Sequence, residues 1–504
     1  MRRALISVSD KQGVIEFAQG LIKNGFEIIS TGNTYKHLIE AGLEALEVAQ
    51  VTGFEEMLDG RVKTLHPIVH GGILARRDIP EHMASLNNAG IKPIDLVCVN
   101  LYPFKETILK DNVTFADAIE NIDIGGPTML RSAAKSFADV TVISDVADYA
   151  RVLEELEAHG DTSLETRQYL ALKVFNTTAN YDALITDYLK SQTEEIIDTP
   201  LTLTYDLVES LRYGENPHQG AKLYKSIKDQ PWAMTSATLL HGKALSYNNI
   251  QDGQAALDLL SEFEEPTCVV VKHMNPCGVA SASSIEEAFI KAYEADPVSI
   301  FGGIVVVNGL LEASTAESLN NIFLELVIAK EFTPSALEIL SQKKNIRLLT
   351  YLDGKTTEPV MAKSIPGGLL VQDIDVTPVT ECEFKTKAIS NSEDLKFAQR
   401  IVKHVKSNAI VLVKDKQTVG IGAGQMNRVG AAEIACKQAG DKAKGATVGS
   451  DAFFPMRDTV DLLAQHGVVA IVQPGGSIKD QESIDACDEA GIAMVFTNVR
   501  HFKH

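Results

Sequence analysis

Two stretches of the chain place titratable side chains beside features that hold anions. In VVVKHMNPCG, residues 269–278, an apolar run ends in Lys272 and His273. A lysine ammonium supports a developing oxyanion, and a neutral imidazole carries a proton near pH 7. The pair suits acyl or formyl transfer to a weak amine. Successive strand residues face opposite sides, so a turn at Asn275–Pro276 is expected to twist the strand end and bring both groups into one crevice. A hydrogen-bonded structural histidine is the plainer alternative for His273. The second set lies nearer the N-terminus. Ser7, Ser9 and Lys11 follow one apolar run, Ser30, Thr31 and Gly32 follow another, and Asn100 and Tyr102 follow a third. GRVKTLHP, residues 60–67, adds Arg61, Lys63, Thr64 and His66, and NIDIGGPTMLRSAAKS, residues 121–136, adds Asp123, two glycines, Arg131 and Lys135. Small hydroxyls, glycine and lysine at helix N-termini favour a phosphate, although Ser and Thr also cap helices without any ligand. A carboxylate, a phenol and two lysines around such a site form an acid/base set. The pattern alone indicates a phosphorylated small molecule and acid/base chemistry.

Further stretches carry weaker signals. SLRYGENPHQ, residues 210–219, offers Arg212, Tyr213 and His218 in a Gly/Pro-rich context, and SIFGG, residues 299–303, precedes an apolar run. GIGAGQMNR, residues 420–428, reads G-x-G-x-G, a weak dinucleotide signal. SDAFFPMRD, residues 450–458, sets two phenylalanines among charges, as a heterocycle platform or an ordinary core corner. NPCG resembles part of the zinc deaminase motif, but position 280 is Ala and no H-x-E occurs, so that reading fails on ligands.

The elements that must position these residues alternate. ALISV, FEIIS, IDLVCVNL and DVTVIS read as strands in the first part of the chain, with helical spacing at Val14, Phe17, Ala18 and Leu21 and over 146–158. Ser9 with Gln12 reads as a capping box and Gly25 as a helix stop. Strand–helix alternation predicts an α/β fold with a mostly parallel sheet covered on both faces, its ligand crevice at the carboxyl ends of the strands. The polar, acidic stretch 189–203 marks a boundary, giving domains 1–195 and 196–504. In the second, TCVVV, GGIVVV, NAIVLV, VVAIV and GIAMVF read as core strands and 284–295, 313–325, 392–406 and 428–439 as helices. CVVVKHMNPCG and AIVLVKDKQTVGIG share a strand–lysine–turn–glycine order, a hint of two similar lobes.

At 504 residues the chain exceeds one ordinary domain, and its net charge of −20 excludes a general nucleic-acid surface. No apolar run approaches the ~18 residues of a membrane span, and MRRALISVSD is too short in apolar residues for a signal peptide. Six cysteines without a C-x-x-C pair fit a reducing, cytoplasmic setting.

LISVSDK, STGNT, GRVKTLHP, NLYPF, ENIDIGG, LRYGENPHQ, KHMNPCG, SIFGG, GIGAGQ, SDAFFP and TNVRHF occur in this order along the chain. In this respect the sequence closely resembles, end to end, the bifunctional purine-biosynthesis family that joins phosphoribosylaminoimidazolecarboxamide (AICAR) formyltransferase to IMP cyclohydrolase. The resemblance implies a methylglyoxal-synthase-like N-terminal domain and two cytidine-deaminase-like lobes without zinc. It implies formyl transfer from 10-formyltetrahydrofolate to AICAR, giving FAICAR, then closure of FAICAR to IMP with loss of water. It implies a homodimer with a transformylase site shared between subunits, no metal ligands among the site residues, and leaves a monovalent cation open. A transformylase with a non-catalytic N-terminal module and a nucleotide sensor are the competing readings. For cyclisation the resemblance assigns Lys63, Tyr102, Asp123 and Lys135 to catalysis, and Ser7, Ser9, Lys11, Ser30, Thr31, Gly32, Arg61 and Thr64 to substrate binding. For formyl transfer it assigns Lys272, His273 and Asn408 to catalysis, and Arg212, Tyr213, Asn249, Phe301, Gly302, Asp458 and Arg500 to the AICAR site. Asn33 stands where many relatives have a second glycine, which puts one backbone contact of that loop in question.

Overall fold

In the computed structural model the chain folds as two compact units, Met1–Tyr205 and Asp206–His504. The residues described are 1–193, 200–228, 230–354, 360–378, 383–390 and 392–504. The boundary expected at 195/196 and Cys382 lie outside them.

The first unit has five strands: β1 (Arg2–Ser7), β2 (Phe26–Ser30), β3 (Leu46–Glu47), β4 (Leu96–Val99) and β5 (Thr141–Ile143). They lie in the order β3-β2-β1-β4-β5, all parallel. Helices cover both faces, so residues 4–6 of β1 and the whole of β4 read as apolar runs and are buried. Strand order reverses between β1 and β4, and a crevice opens beyond their carboxyl ends at such a switch point. The helix Val14–Lys23 starts from Gly13 at φ 66° without a side-chain cap. The expected Ser9–Gln12 capping box does not form, because the Asn100 side chain accepts the Ser9 N–H at 2.5 Å and Asp10 accepts that of Gln12 at 3.0 Å. The helix Leu164–Ser191, capped by Ser163, was not anticipated and packs on the helix Gly125–Lys135 and on β5.

The second unit is built twice over. Its strands are a hairpin of β6 (Asp206–Leu211) and β7 (Ala221–Lys225); β8 (Thr238–His241), β9 (Thr267–Lys272), β10 (Asn275–Ser281), β11 (Ile304–Leu311), β12 (Leu326–Phe332) and β13 (Arg347–Thr350); a hairpin of β14 (Val360–Ile365) and β15 (Gly368–Asp373); then β16 (Glu383–Phe384), β17 (Ile410–Lys414), β18 (Gln417–Gly422), β19 (Thr447–Ser450), β20 (Ala470–Gln473) and β21 (Ala493–Phe496). Twelve of them form one mixed sheet, β16-β21-β20-β19-β17-β18-β10-β9-β11-β12-β13-β8. From its centre outward the sheet repeats itself. An antiparallel hairpin (β9–β10, β17–β18) is followed by an antiparallel neighbour (β11, β19), two parallel strands and an antiparallel edge. The lobes join where Ala280 of β10 pairs with Gln417 of β18.

Alternation along the strands sorts the core. Val269 and Val271 face one layer with Val411 and Val413, whereas Cys268 and Val270 face the other. Tyr247–Leu260 and Ser392–Val402 cover corresponding strands of the two lobes, and so do Ile285–Ala295 and Arg428–Ala439. The glycines of the second hairpin strand are explained by this packing. A Cβ on Gly278 would collide with the Ala292 carbonyl, one on Gly420 with that of Ala435, and one on Gly422 with that of Ala431. The G-x-G-x-G run therefore seats a helix and gives no dinucleotide signal. Phe454 of SDAFFPMRD is fully buried, a core corner.

Candidate active sites

The first site is a cleft of about 600 Å³ at the switch point of the parallel sheet. Ser7, Ser9, Lys11, Thr31, Arg61, Lys63, Thr64, Tyr102 and Asp123 all line it, so most of the expected set converges. The Ser7 and Thr31 hydroxyls are 2.6 Å apart. Thr34 ties the second loop to the first, accepting the Val8 N–H at 3.0 Å and donating to the Val8 carbonyl at 2.9 Å. Ser30 takes no part in the lining, since its hydroxyl is buried and donates to the Ile6 carbonyl at 2.8 Å. Gly32, at φ 44°, opens the helix Gly32–Glu40, and Lys63 Nζ comes within 3.4 Å of where a Cβ would stand. Asn33 lies inside that helix and lines the cleft, so the left-handed residue of the loop is Gly32.

Asp123 is the best-held group. It accepts the Gly126 N–H at 2.8 Å and the Tyr102 N–H at 3.3 Å, while its own N–H donates to the Tyr181 hydroxyl at 2.9 Å. Burial pushes its carboxyl above the ordinary value, and the two N–H bonds and the Lys63 charge only partly offset this. Burial, then the charges of Asp123, Glu56 and Glu120, raise the Tyr102 phenol. Gly126 has a direct reason to be glycine, because a Cβ there would collide with the Asp123 carboxylate. Lys63 pairs with Glu56 at 3.5 Å, and Arg61 pairs with Glu120. Lys135 departs from the expected grouping. It ends the helix Gly125–Lys135, about 15 Å of helix rise from the glycines at the cleft, and lines a separate concavity with Leu74, Phe137 and Phe175.

The second site centres on the β9–β10 hairpin. The expected turn at Asn275–Pro276 is instead at His273–Met274, with Lys272 paired to Asn275 across it. His273 and Met274 take φ 54° and 62°, the left-handed pair that a two-residue hairpin of matching twist requires. Pro276 sits in the first residues of β10 beside a bulge, where its missing N–H is tolerated. The turn lifts His273 off the strand and leaves it exposed. Lys272 Nζ donates to the Phe301 carbonyl at 2.8 Å. The next residue, Gly302 at φ 75°, donates its N–H to the Phe323 carbonyl at 2.7 Å, and the Phe301 and Phe323 rings lie 5.2 Å apart.

Asn275 ties this hairpin to the segment that carries Asn408. Its amide donates to the His273 carbonyl at 3.2 Å and its oxygen accepts the Lys406 N–H at 3.1 Å. Asn408 donates to the Gln425 carbonyl at 2.8 Å. Buried Asp451 accepts the Ala409 N–H at 3.0 Å and also binds Ser407 and Arg428. The C-terminal tail joins the same place through Ser407 and Lys503, bonded in both directions at 3.0 and 3.1 Å. Arg500 on that tail lies over the Phe502 ring, and Arg212 over that of Tyr213. Asn248 donates to the Glu215 carbonyl at 3.4 Å, linking the 210–219 stretch to the start of the helix Tyr247–Leu260. Asn249 is buried in that helix's capping box with Ser246, and the Asp458 carboxylate accepts the Thr459 N–H at 2.7 Å. These local bonds engage the Asn249 side-chain oxygen and one of the two Asp458 carboxylate oxygens. Glu56, Glu120 and Tyr181 were not anticipated. Each acts through a partner distant in sequence or across a turn, which no periodicity reports.

A family model described as "AICARFT/IMPCHase bienzyme" matches residues 133–438, and one described as "MGS-like domain" matches residues 13–128. The chain belongs to the AICARFT/IMPCHase bienzyme family. It is 56% identical over 512 aligned positions to the bifunctional purine biosynthesis protein PurH of Oceanobacillus iheyensis and 57% identical over 513 to that of Bacillus cereus, covering 100% of both chains in each case. A solved structure described as "Crystal structure of ForH" is 37% identical with a TM-score of 0.36, over 39% of this chain and 100% of its own. As a member of this family the chain is a bifunctional enzyme of purine biosynthesis. Its N-terminal domain is of the MGS-like type, with the parallel sheet described above. No described helix is long and apolar enough to cross a membrane.

Proposed function

We propose that the N-terminal cleft closes FAICAR to IMP and that the β9–β10 hairpin carries formyl transfer from 10-formyltetrahydrofolate to AICAR. The convergence of Lys63, Tyr102 and Asp123 beneath a rim of hydroxyls and Lys11 carries the first assignment. Ser7, Ser9, Lys11 and Thr31 cradle the phosphate and ribose, with Gly32, Arg61 and Thr64 beside them and Ser30 fixing the loop from behind. The carboxamide nitrogen of FAICAR attacks its formyl carbon, and the cyclic adduct then loses water. The Tyr102 phenol, held protonated, donates toward the departing oxygen. Asp123 orients the carboxamide and accepts its proton, and Lys63 steadies the developing charge. Lys135, which the family resemblance also assigns to catalysis, lines a separate concavity and takes no step in this scheme.

In the second site the amine of AICAR attacks the formyl carbon, the bond to N10 breaks, and N10 leaves protonated as tetrahydrofolate. The amine is a poor nucleophile because its lone pair is delocalised. His273 takes its proton, and Lys272 supports the oxyanion with the ammonium protons not engaged by Phe301. Asn408 assists, Arg212 and Arg500 clamp the phosphate, and Tyr213, Asn249, Phe301, Gly302 and Asp458 line the AICAR site. The paired lobes are read as cytidine-deaminase-like without zinc, with a monovalent cation left to titration. A homodimer fits the apolar side chains exposed on the β6–β7 and β14–β15 hairpins, such as Leu207, Met361 and Leu370, and the cytoplasm is its proposed setting. Domains of 1–195 and 196–504 would each hold one activity. Purified chain given AICAR and 10-formyltetrahydrofolate, followed for tetrahydrofolate and IMP together, tests this. Both products are expected. Tetrahydrofolate without IMP would leave the first cleft as a binding module.

A further inference from the structure

A left-handed pair costs little in glycine, yet His273–Met274 contains none. Each non-glycine residue held at such φ costs of order 1 kcal/mol and persists only when its surroundings fix it. The helix Tyr247–Leu260 supplies the fixing group, since Asp252 Oδ1 accepts the Met274 N–H at 2.7 Å. The other lobe repeats the arrangement. There the hairpin turn is Asp415–Lys416, both at φ 54°, again without glycine. Asp394, on the corresponding helix Ser392–Val402, accepts both turn N–H groups at 3.0 and 2.9 Å. Even the lysine at the strand end is repeated, because Lys414 Nζ donates to the Lys444 carbonyl at 3.0 Å as Lys272 does to that of Phe301. One backbone device thus occurs twice, and only one copy carries an imidazole.

We propose that Asp252 is the positioning residue for His273: its carboxylate clamps the hairpin turn and so sets where the imidazole stands in formyl transfer. Asp394 performs the same clamp beneath a turn with no part in the reaction. This rests on the assignment of formyl transfer to His273. Half-buried Asp252 needs the turn donors as much as the turn needs it, since burial raises its carboxyl and the bond from Met274 and the nearby His273 draw it back.

The test compares Asp252→Ala, Asp252→Asn, Asp394→Ala and His273→Ala in the full-length protein, reading kcat and KM for AICAR in formyl transfer, the melting temperature, and closure of supplied FAICAR as a folding control. Asp252→Ala is expected to lower kcat by roughly 10²-fold, the usual penalty of a misplaced group, with KM within about threefold. Asp252→Asn, which keeps one acceptor oxygen, falls between it and the parent. Asp394→Ala lowers the melting temperature comparably and leaves kcat within about twofold. Equal kcat losses in the Asp252→Ala and Asp394→Ala proteins, or none in Asp252→Ala beside an inactive His273→Ala, would overturn the proposal alone. An active His273→Ala would overturn the assignment beneath it.

Discussion

Asp123 draws its chemistry from three neighbours, two of them distant in sequence: the Gly126 and Tyr102 N–H groups and the Tyr181 hydroxyl. Replacing it by Asn removes the carboxylate but preserves most of the volume. Closure of FAICAR should fall by roughly 10²- to 10³-fold, in the range of a lost acid/base group, while formyl transfer by the same protein stays within about twofold. Gly126→Ala should produce a similar loss without touching any titratable group, because its methyl must displace the Asp123 carboxylate. Both are read from IMP absorbance with FAICAR supplied. A Gly126→Ala protein that closes FAICAR normally would mean that the Asp123 position is not what the reaction uses.

The packing between strand and helix makes a prediction common to both lobes. Gly278 and Gly420 occupy corresponding strands and face carbonyls of corresponding helices. Alanine at either should destabilise the second unit by about 1–3 kcal/mol, the usual cost of overpacking, measured by denaturant unfolding. A neutral result at one and not the other would break the equivalence of the lobes. At this scale much was legible in the sequence. TCVVV and NAIVLV announce buried strands by their β-branched runs, and the shared order of strand, lysine, turn and glycine foretold the duplication. The position of the first turn did not show. Asn-Pro has a turn signature and His-Met has none, so the eye goes to the wrong pair; only the register and the carboxylate on a neighbouring helix decide it. Lys135 illustrates the converse. Its motif is matched to the letter, yet its place ten residues up a helix from Gly125 sets it away from the cleft.

Across the second unit, two partly buried ion pairs set the response to acid. Burial alone would raise Glu262, but bonds from His404 at 3.1 Å and Lys403 at 2.9 Å outweigh it and hold the carboxyl at about 2. Burial lowers His404, against the opposing pull of its bond to Glu262. Asp375 is likewise held at about 2, where the bond from His501 outweighs burial. Both carboxyls lie below their unfolded values, so their stabilisation is complete above about pH 5 and is lost as pH falls toward 2. For Glu262 the shift from 4.5 to about 2 corresponds to something on the order of 3 kcal/mol. The melting temperature should drop between pH 5 and 3, and Glu262→Gln should flatten that limb while destabilising the protein at pH 7 by stranding Lys403. An acid limb unchanged in Glu262→Gln would place the sensitivity elsewhere.

The account stands on two independent sets of machinery in one chain, and one crossed assay addresses it directly. His273→Ala and Asp123→Asn, each full length, are assayed for tetrahydrofolate release from 10-formyltetrahydrofolate with AICAR, and separately for IMP from supplied FAICAR. The predicted result is a double dissociation: His273→Ala loses the first and keeps the second, and Asp123→Asn does the reverse. A single substitution that abolishes both activities in a protein that still melts cooperatively, or one that abolishes neither, would contradict it.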